Sequence, residues 1–348
     1  MRRLLAVVGA VAMIGAAVLV RDGVLDGAGS GGGGGSGAGG DGPTRLICAT
    51  ELADACQALA DEDGDVTFDV QPAGDTAELL TEAAFDPADA DFDAWLTLQP
   101  WPALVELRRE LAQRGPALGE TSDVLATSPL DVIGPTERLD TLVGTVCDAE
   151  PETPVWRCFG DNAGADWDDV GGESGWGRVE VGFADPTESA TGLLILGQAS
   201  AEYFGALGGE SFARNDFDAA FSSWLRAIAD SSPNLPSTAG TPLSQLLQYG
   251  PATWDAVGDL DWTADARVQG SREEDSLTVT YSSFMLAEVV AVPVRGHGLP
   301  DLSGGGPRNA LLDAGFTNPT YDIEPSRSVS PINPGLYQAL LEEWELAS

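Results

Sequence analysis

The sequence predicts an α/β fold, with a parallel sheet and helices packed on it. Two observations carry this: short β-type apolar runs recur along the chain, and amphipathic helical stretches separate them at short spacing. A third concerns size. At 348 residues the chain exceeds what one core usually organises, so two lobes are expected.

Arg45–Ala49 (RLICA) reads as the first strand. From Thr50 the period changes, and Leu52, Cys56 and Leu59 fall on one helical face. Thr50 suits the N-cap of that helix, and Glu51 its first turn, where the helix dipole favours an acid. Gly64 ends the helix and Val66–Val70 (VTFDV) alternates as a strand. A helix over Thr76–Ala84, a strand over Asp93–Leu98, a helix over Pro102–Gln113 and a strand over Asp123–Thr127 follow. Asp148–Gly177 is looser, rich in Gly, Asp and Pro, with Trp156, Trp167 and Trp176 spaced through it. Then come a strand at Arg178–Phe183, a polar turn, a helix start at Thr187–Gly192 and the apolar helical run Leu193–Phe204. Helices at Asp216–Ala229 and Leu243–Leu247, strands at Ser276–Tyr281 and Ala287–Val294, and helices at Arg308–Ala314 and Leu336–Leu346 complete the reading.

Charge removes whole classes of function. There are 55 Asp and Glu against 17 basic residues, every one of them Arg, for a net charge of -38. A nucleic-acid binder needs a basic footprint to displace counterions, so that partner is excluded. Without Lys there is no Schiff base, Ser-Lys dyad or P-loop lysine. The single histidine, His297, leaves no second imidazole for a histidine metal cluster, and no G-x-S-x-G elbow accompanies it. No catalytic residue, no cofactor and no metal site is assigned, and the chain is read as a non-enzyme.

Residues 1–21 read as a targeting segment. Arg2 and Arg3 precede an unbroken apolar run, Leu4–Val20, long enough for a short membrane span. Beyond Arg21 there are 14 Arg against 55 acids, so the positive-inside rule keeps the N-terminus cytoplasmic and exports the rest. An uncleaved anchor is expected, because no small-x-small site follows Val20; a cleaved secretory signal is the alternative. Residues 22–43 are a Gly-rich linker. Export agrees with an even number of cysteines, Cys48, Cys56, Cys147 and Cys158. Three pairings are possible, and the local one, Cys48 with Cys56 and Cys147 with Cys158, is favoured by proximity in sequence.

The run GFADPTESATGLL around Ser189, the later DSLTVTYSS and AEVVAVPV, and the strand-to-helix opening at Cys48–Thr50 resemble the extracellular solute-binding proteins with the type II periplasmic-binding-protein fold. That resemblance implies two α/β lobes closing over a ligand, with the chain crossing between them twice, near Thr127–Ile133 and Ala287–Val294. Lobe I would hold 44–127 and 293–348, and lobe II 128–292. It also implies an ABC-type permease as partner, beside a small-molecule or ion ligand. A surface interaction or sensory module on the same fold, without transport, is the alternative.

Candidate ligand contacts lie at strand ends and helix starts. Thr187, Ser189, Ala190 and Thr191 offer free amides, small side chains and hydroxyls to an anion or polar oxygen; a plain helix cap reads equally from the residues alone. Thr50 and Glu51 occupy the equivalent turn of the other lobe. Gln99 and Trp101 follow the strand ending at Leu98, and Ser128, Tyr281 and Ser282 stand at later strand ends.

Overall fold

The strands are β1 (Thr44–Ala49), β2 (Val66–Gln71), β3 (Ala94–Leu98), β4 (Ala126–Pro135), β5 (Val181–Gly182), β6 (Ala256–Leu260) and β7 (Leu277–Pro293). The computed structural model describes residues 43–147, 155–232, 240–299, 309, 311, 312, 315, 316 and 325–348. The expected membrane segment 1–21, the linker apart from Pro43, and most of the expected helix at 308–314 lie outside the described residues. Among the described residues no helix is long and apolar enough to cross a membrane.

The strands form a single sheet in the order β2-β1-β3-β7-β4-β6-β5. It is mixed, which corrects the parallel expectation. β1 runs parallel to β2 and β3, and β5 parallel to β6, as helical crossovers require. β7 is antiparallel to β3 and β4, and β4 is antiparallel to β6. Both β4 and β7 run through the two halves of the sheet. Their register slips between Pro129 and Asp131 of β4, opposite the step from Leu286 to Tyr281 of β7. The two strands expected at Ser276–Tyr281 and Ala287–Val294 are therefore one continuous strand of 17 residues. Ser282 and Ser283 interrupt the apolar pattern, yet both are buried, the Ser282 hydroxyl and the Ser283 amide donating to Glu202.

The helices are α1 (Ala53–Glu62), α2 (Ala73–Thr81), α3 (Trp101–Leu111), α4 (Thr136–Thr141), α5 (Val155–Asn162), α6 (Ala190–Phe204), α7 (Ala219–Asp230), α8 (Pro242–Tyr249), α9 (Asp261–Val268) and α10 (Pro334–Ala347). Thr50 is not the N-cap expected. A 3-10 turn, Thr50–Leu52, comes first, with no side-chain cap at Ala49. β5 is shorter than Arg178–Phe183 because Arg178 pairs instead with Asp166 in an isolated bridge. α2 starts earlier and ends earlier than Thr76–Ala84, with Pro72 at its N-cap.

α6 is the central helix. Ala190 to Glu202 are all buried, so it is enclosed on every side rather than half-exposed, with Gln198 and Glu202 hydrogen-bonded inside. Ser189 caps its start and Gly205, at φ 67°, its end, in the left-handed conformation that glycine adopts without steric cost. α10 packs on α3 and also on α6 and α7, which places it across both halves of the sheet. Arg108 Nε donates to Gln338 Oε1 at 2.7 Å on one side, and the Trp344 ring stands 5.3 Å from Phe183 on the other.

The favoured cysteine pairing is present: Cys48 bonds Cys56 and Cys147 bonds Cys158. The first bond ties the end of β1 to α1 around the turn that carries Glu51.

Candidate functional site

Glu51 and the start of α6 meet directly. Ser189 Oγ donates to Glu51 Oε1 at 2.5 Å, and the Thr191 amide donates to the same oxygen at 3.2 Å. Ser189 Oγ in turn accepts from the Gly192 amide at 3.0 Å. A helix start exposes amides that need acceptors, and here a carboxylate from the far half of the sheet supplies one. The expected anion position is thus filled by the chain's own acid.

A second contact joins the same two regions. The Gly74 amide, in the first turn of α2, donates to Glu188 O at 2.9 Å. A Cβ at Gly74 would stand 2.0 Å from the Thr187 carbonyl oxygen, so only glycine permits this approach. Thr187 itself turns to Asp185, donating from its amide and hydroxyl to Oδ1 at 2.9 and 2.8 Å.

The other expected residues are placed differently. Thr50 is exposed beside Glu51. Gln99 is half-buried and its amide donates to Glu288 O. Trp101 is fully buried in the first turn of α3, with Arg108 over its ring. Ser128 is buried and its Oγ accepts from the Trp262 amide at 3.4 Å. Tyr281 is exposed, opposite Asp131 in the β4–β7 register. Ser282 faces inward, where its hydroxyl donates to Glu202. The structure therefore brings together Glu51, Ser189, Ala190 and Thr191, with Thr187 alongside, and leaves Trp101 and Ser282 in the packed interior.

Sequence reasoning missed a group of acids at the turn from β6 into α9. Asp259 and Asp261 lie there, with Asp265 one turn on. Asp131 of β4 is directly opposite Asp259 in register and lies against the Asp261 carboxyl. Burial first, then Asp261, Asp265 and Asp259, push the Asp131 carboxyl up to about 9. Burial likewise pushes Asp259 up to about 7, with the Leu260 amide and Arg267 opposing and Glu51 adding to it. The available signal was an acid inside an apolar run, in SPLDVIGP and AVGDLDW.

Other buried acids are conventional. Glu202 accepts from the Trp156 and Ser283 amides at 2.6 and 2.9 Å, besides Ser282. Asp255 accepts from Arg138 Nη1, Trp167 Nε1 and the Glu180 amide at 2.7, 3.0 and 2.7 Å. His297 is a tie between loops, its Nδ1 2.9 Å from Asp93 Oδ1 and its Nε2 3.1 Å from Pro87 O. Among the described residues no group of three or more His, Cys, Asp or Glu is placed to hold a metal ion. An open groove of about 720 Å³ between α3 and Pro334–Gly335 is lined by none of the expected site residues.

No family model and no curated protein sequence matches the chain. Among solved structures similar to it are ABC transporter substrate-binding proteins. The substrate-binding protein from Bradyrhizobium japonicum is 14% identical, with 88% of this chain and 97% of that chain covered and a TM-score of 0.47. The periplasmic binding protein MotA of A. tumefaciens, solved in complex with glucopine, is 12% identical over 86% and 99% of the two chains, with a TM-score of 0.49. OxyR of Corynebacterium glutamicum, as a cysteine-to-serine mutant with H2O2 bound, is 11% identical over 99% and 77%, with a TM-score of 0.39.

Proposed function

We propose that this chain is an extracytoplasmic solute-binding protein, tethered to the membrane through residues 1–21, that encloses a small solute between two lobes and presents it to an ABC-type permease. One observation carries the reading. Strand-end turns from opposite halves of the sheet, at Glu51 and at Ser189–Thr191, close on each other while β4 and β7 join the halves behind them. Ligands of open α/β sheets bind at such strand ends. The lobes hinge where the β4–β7 register slips, so the second crossing lies at 282–285, just ahead of the expected Ala287–Val294. Opening breaks the Glu51–Ser189 and Gly74–Glu188 contacts, and a solute touching both lobes shifts the equilibrium back to the closed form. No bond-making chemistry is required, and the chain acts as a binding protein rather than an enzyme.

The test is a thermal-shift screen of amino acids, sugars, oxyanions, amines and metal ions on the full chain. A solute that binds only the closed form raises the melting temperature in a concentration-dependent way. In Gly74→Val the new side chain collides with the Thr187 carbonyl and holds the turns apart. The expected result is a folded variant that no longer responds to the solute. Equal stabilisation of Gly74→Val and the unaltered chain would refute the cleft.

A further inference from the structure

We infer that the cleft takes a positively charged organic solute, one bearing a protonated amine, held by Asp131 together with Asp259 and Asp261. This deepens the solute-binding reading above and rests on it.

The turn from β6 into α9 presents Asp259, Asp261 and Asp265, and into it from the neighbouring strand projects Asp131. Asp131 is 2% exposed, and among the described residues no N–H group and no hydroxyl reaches either of its carboxylate oxygens; its one hydrogen-bonding neighbour is another acid, Asp261, which it can bond only through a shared proton. That sets it apart from the other buried acids. Glu202 and Asp255 are each met by several donors, as buried carboxylates must be if they are not to cost several kcal/mol. Among the described residues Asp259 receives the Leu260 amide beside it, at 2.8 Å. The basic group facing Asp259 is Arg267, on α9, and its exposed side chain is engaged with Ser244 Oγ at 2.8 Å. Four acids converge here, and among the described residues the donors set against them are the Leu260 amide and, at a distance, Arg267.

The unmet acceptors continue toward α6. Glu51 Oε2 and Thr191 Oγ1 are buried without partners among the described residues, and Glu51 lies within electrostatic reach of Asp259. Asp261 is half-buried and Asp265 exposed, so the acid turn runs from solvent to the buried Asp131. An anion has no place in this arrangement. Glu51 already accepts from the Thr191 amide and Ser189 Oγ from the Gly192 amide, and a second negative group would face Glu51, Asp259 and Asp131 together. An ammonium group brings one positive charge and several N–H donors, which suits separate oxygen acceptors. In the ligand-free form a proton shared by the Asp131 and Asp261 carboxyls serves instead. An amine therefore displaces that proton to bulk water as it binds.

The probes are 1,4-diaminobutane and arginine as amines, tetramethylammonium as a cation without N–H donors, and glucose and sulfate as neutral and anionic solutes. They are titrated by thermal shift and calorimetry into the full chain, Asp131→Asn, Asp259→Asn and the exposed-site control Asp61→Asn. An amine is expected to raise the melting temperature of the unaltered chain, to release protons in buffers of differing ionisation enthalpy, and to bind Asp61→Asn equally well. Asp131→Asn should melt higher than the unaltered chain without ligand and bind the amine at least about ten-fold more weakly. Asp259→Asn serves the same comparison if Asp131→Asn does not fold. Equal binding of the amine to the site variants, or equal stabilisation by tetramethylammonium, overturns the proposal. Glucose or sulfate stabilising the unaltered chain but not Gly74→Val would sink the amine class and leave solute binding standing. Silence from every probe, and from the wider screen, removes both.

Discussion

At the level of single residues, two carboxylates with opposite circumstances define the candidate site. Glu51 is met by a hydroxyl and an amide at the start of α6, whereas Asp131 is met by other acids. The second circumstance has a consequence for stability. The Asp131 carboxyl is pushed up to about 9 and Asp259 to about 7, in both cases by burial first. In the unfolded chain both return to near 3.8. The folded state therefore holds more protons than the unfolded state, and stability must fall as pH rises between these limits. The stabilisation is fully present below about pH 4 and is lost progressively toward about pH 9 for Asp131 and about pH 7 for Asp259. The groups facing this pair are Asp261, Asp265, Arg267 and Glu51. Melting temperatures measured across that range should decline with pH in the unaltered chain and decline less in Asp131→Asn. A parallel pair of curves would mean that Asp131 does not titrate in this window.

Among the elements, what is legible in the sequence follows from how local the cause is. The RLICA strand and the apolar run after Ser189 are readable because their own residues are sufficiently apolar to commit them to the core. Ser189 is readable as a helix start for the same reason, its hydroxyl capping an amide three residues on. β6 and α9 are not readable, since AVGDLDWTADARV mixes acids into a short apolar stretch and no side chain caps α9. Only pairing with β4 makes AVGDL a strand. The candidate site divides along the same line: the Ser189 turn is local, whereas Asp131 and Asp259 acquire their surroundings from each other across two strands. The Cys48–Cys56 bond is a local feature with a long-range effect, because it braces the 3-10 turn that delivers Glu51 to α6. With the cysteines 8 residues apart, loop closure accounts for about 2.5 kcal/mol. A Cys48→Ser, Cys56→Ser double variant should lower the denaturation midpoint by a corresponding amount and weaken the response to any cleft ligand. An unchanged midpoint would show that the bond braces nothing.

For the whole molecule, charge and topology point the same way. The 14 Arg and 55 acids beyond Arg21 leave -41 on everything that follows, while the first 21 residues carry only Arg. A body with this net charge raises the local concentration of cations at its surface, and the proposed site around Asp131 would be where such attraction becomes selective. The same asymmetry fixes the expected orientation, because translocating the acidic body while retaining Arg2 and Arg3 follows the positive-inside rule. If Leu4–Val20 spans the membrane uncleaved, the protein should sediment with membranes and resist extraction by high salt, which releases proteins held by surface charge alone. External protease on intact cells should then cut within residues 22–43 and free a soluble fragment that still responds to the cleft ligand. N-terminal sequencing of that fragment and of the membrane-held protein distinguishes the two origins. Soluble protein in the medium of untreated cells, beginning beyond Val20, would replace the anchor with a cleaved secretory signal and free the binding protein to act away from the membrane.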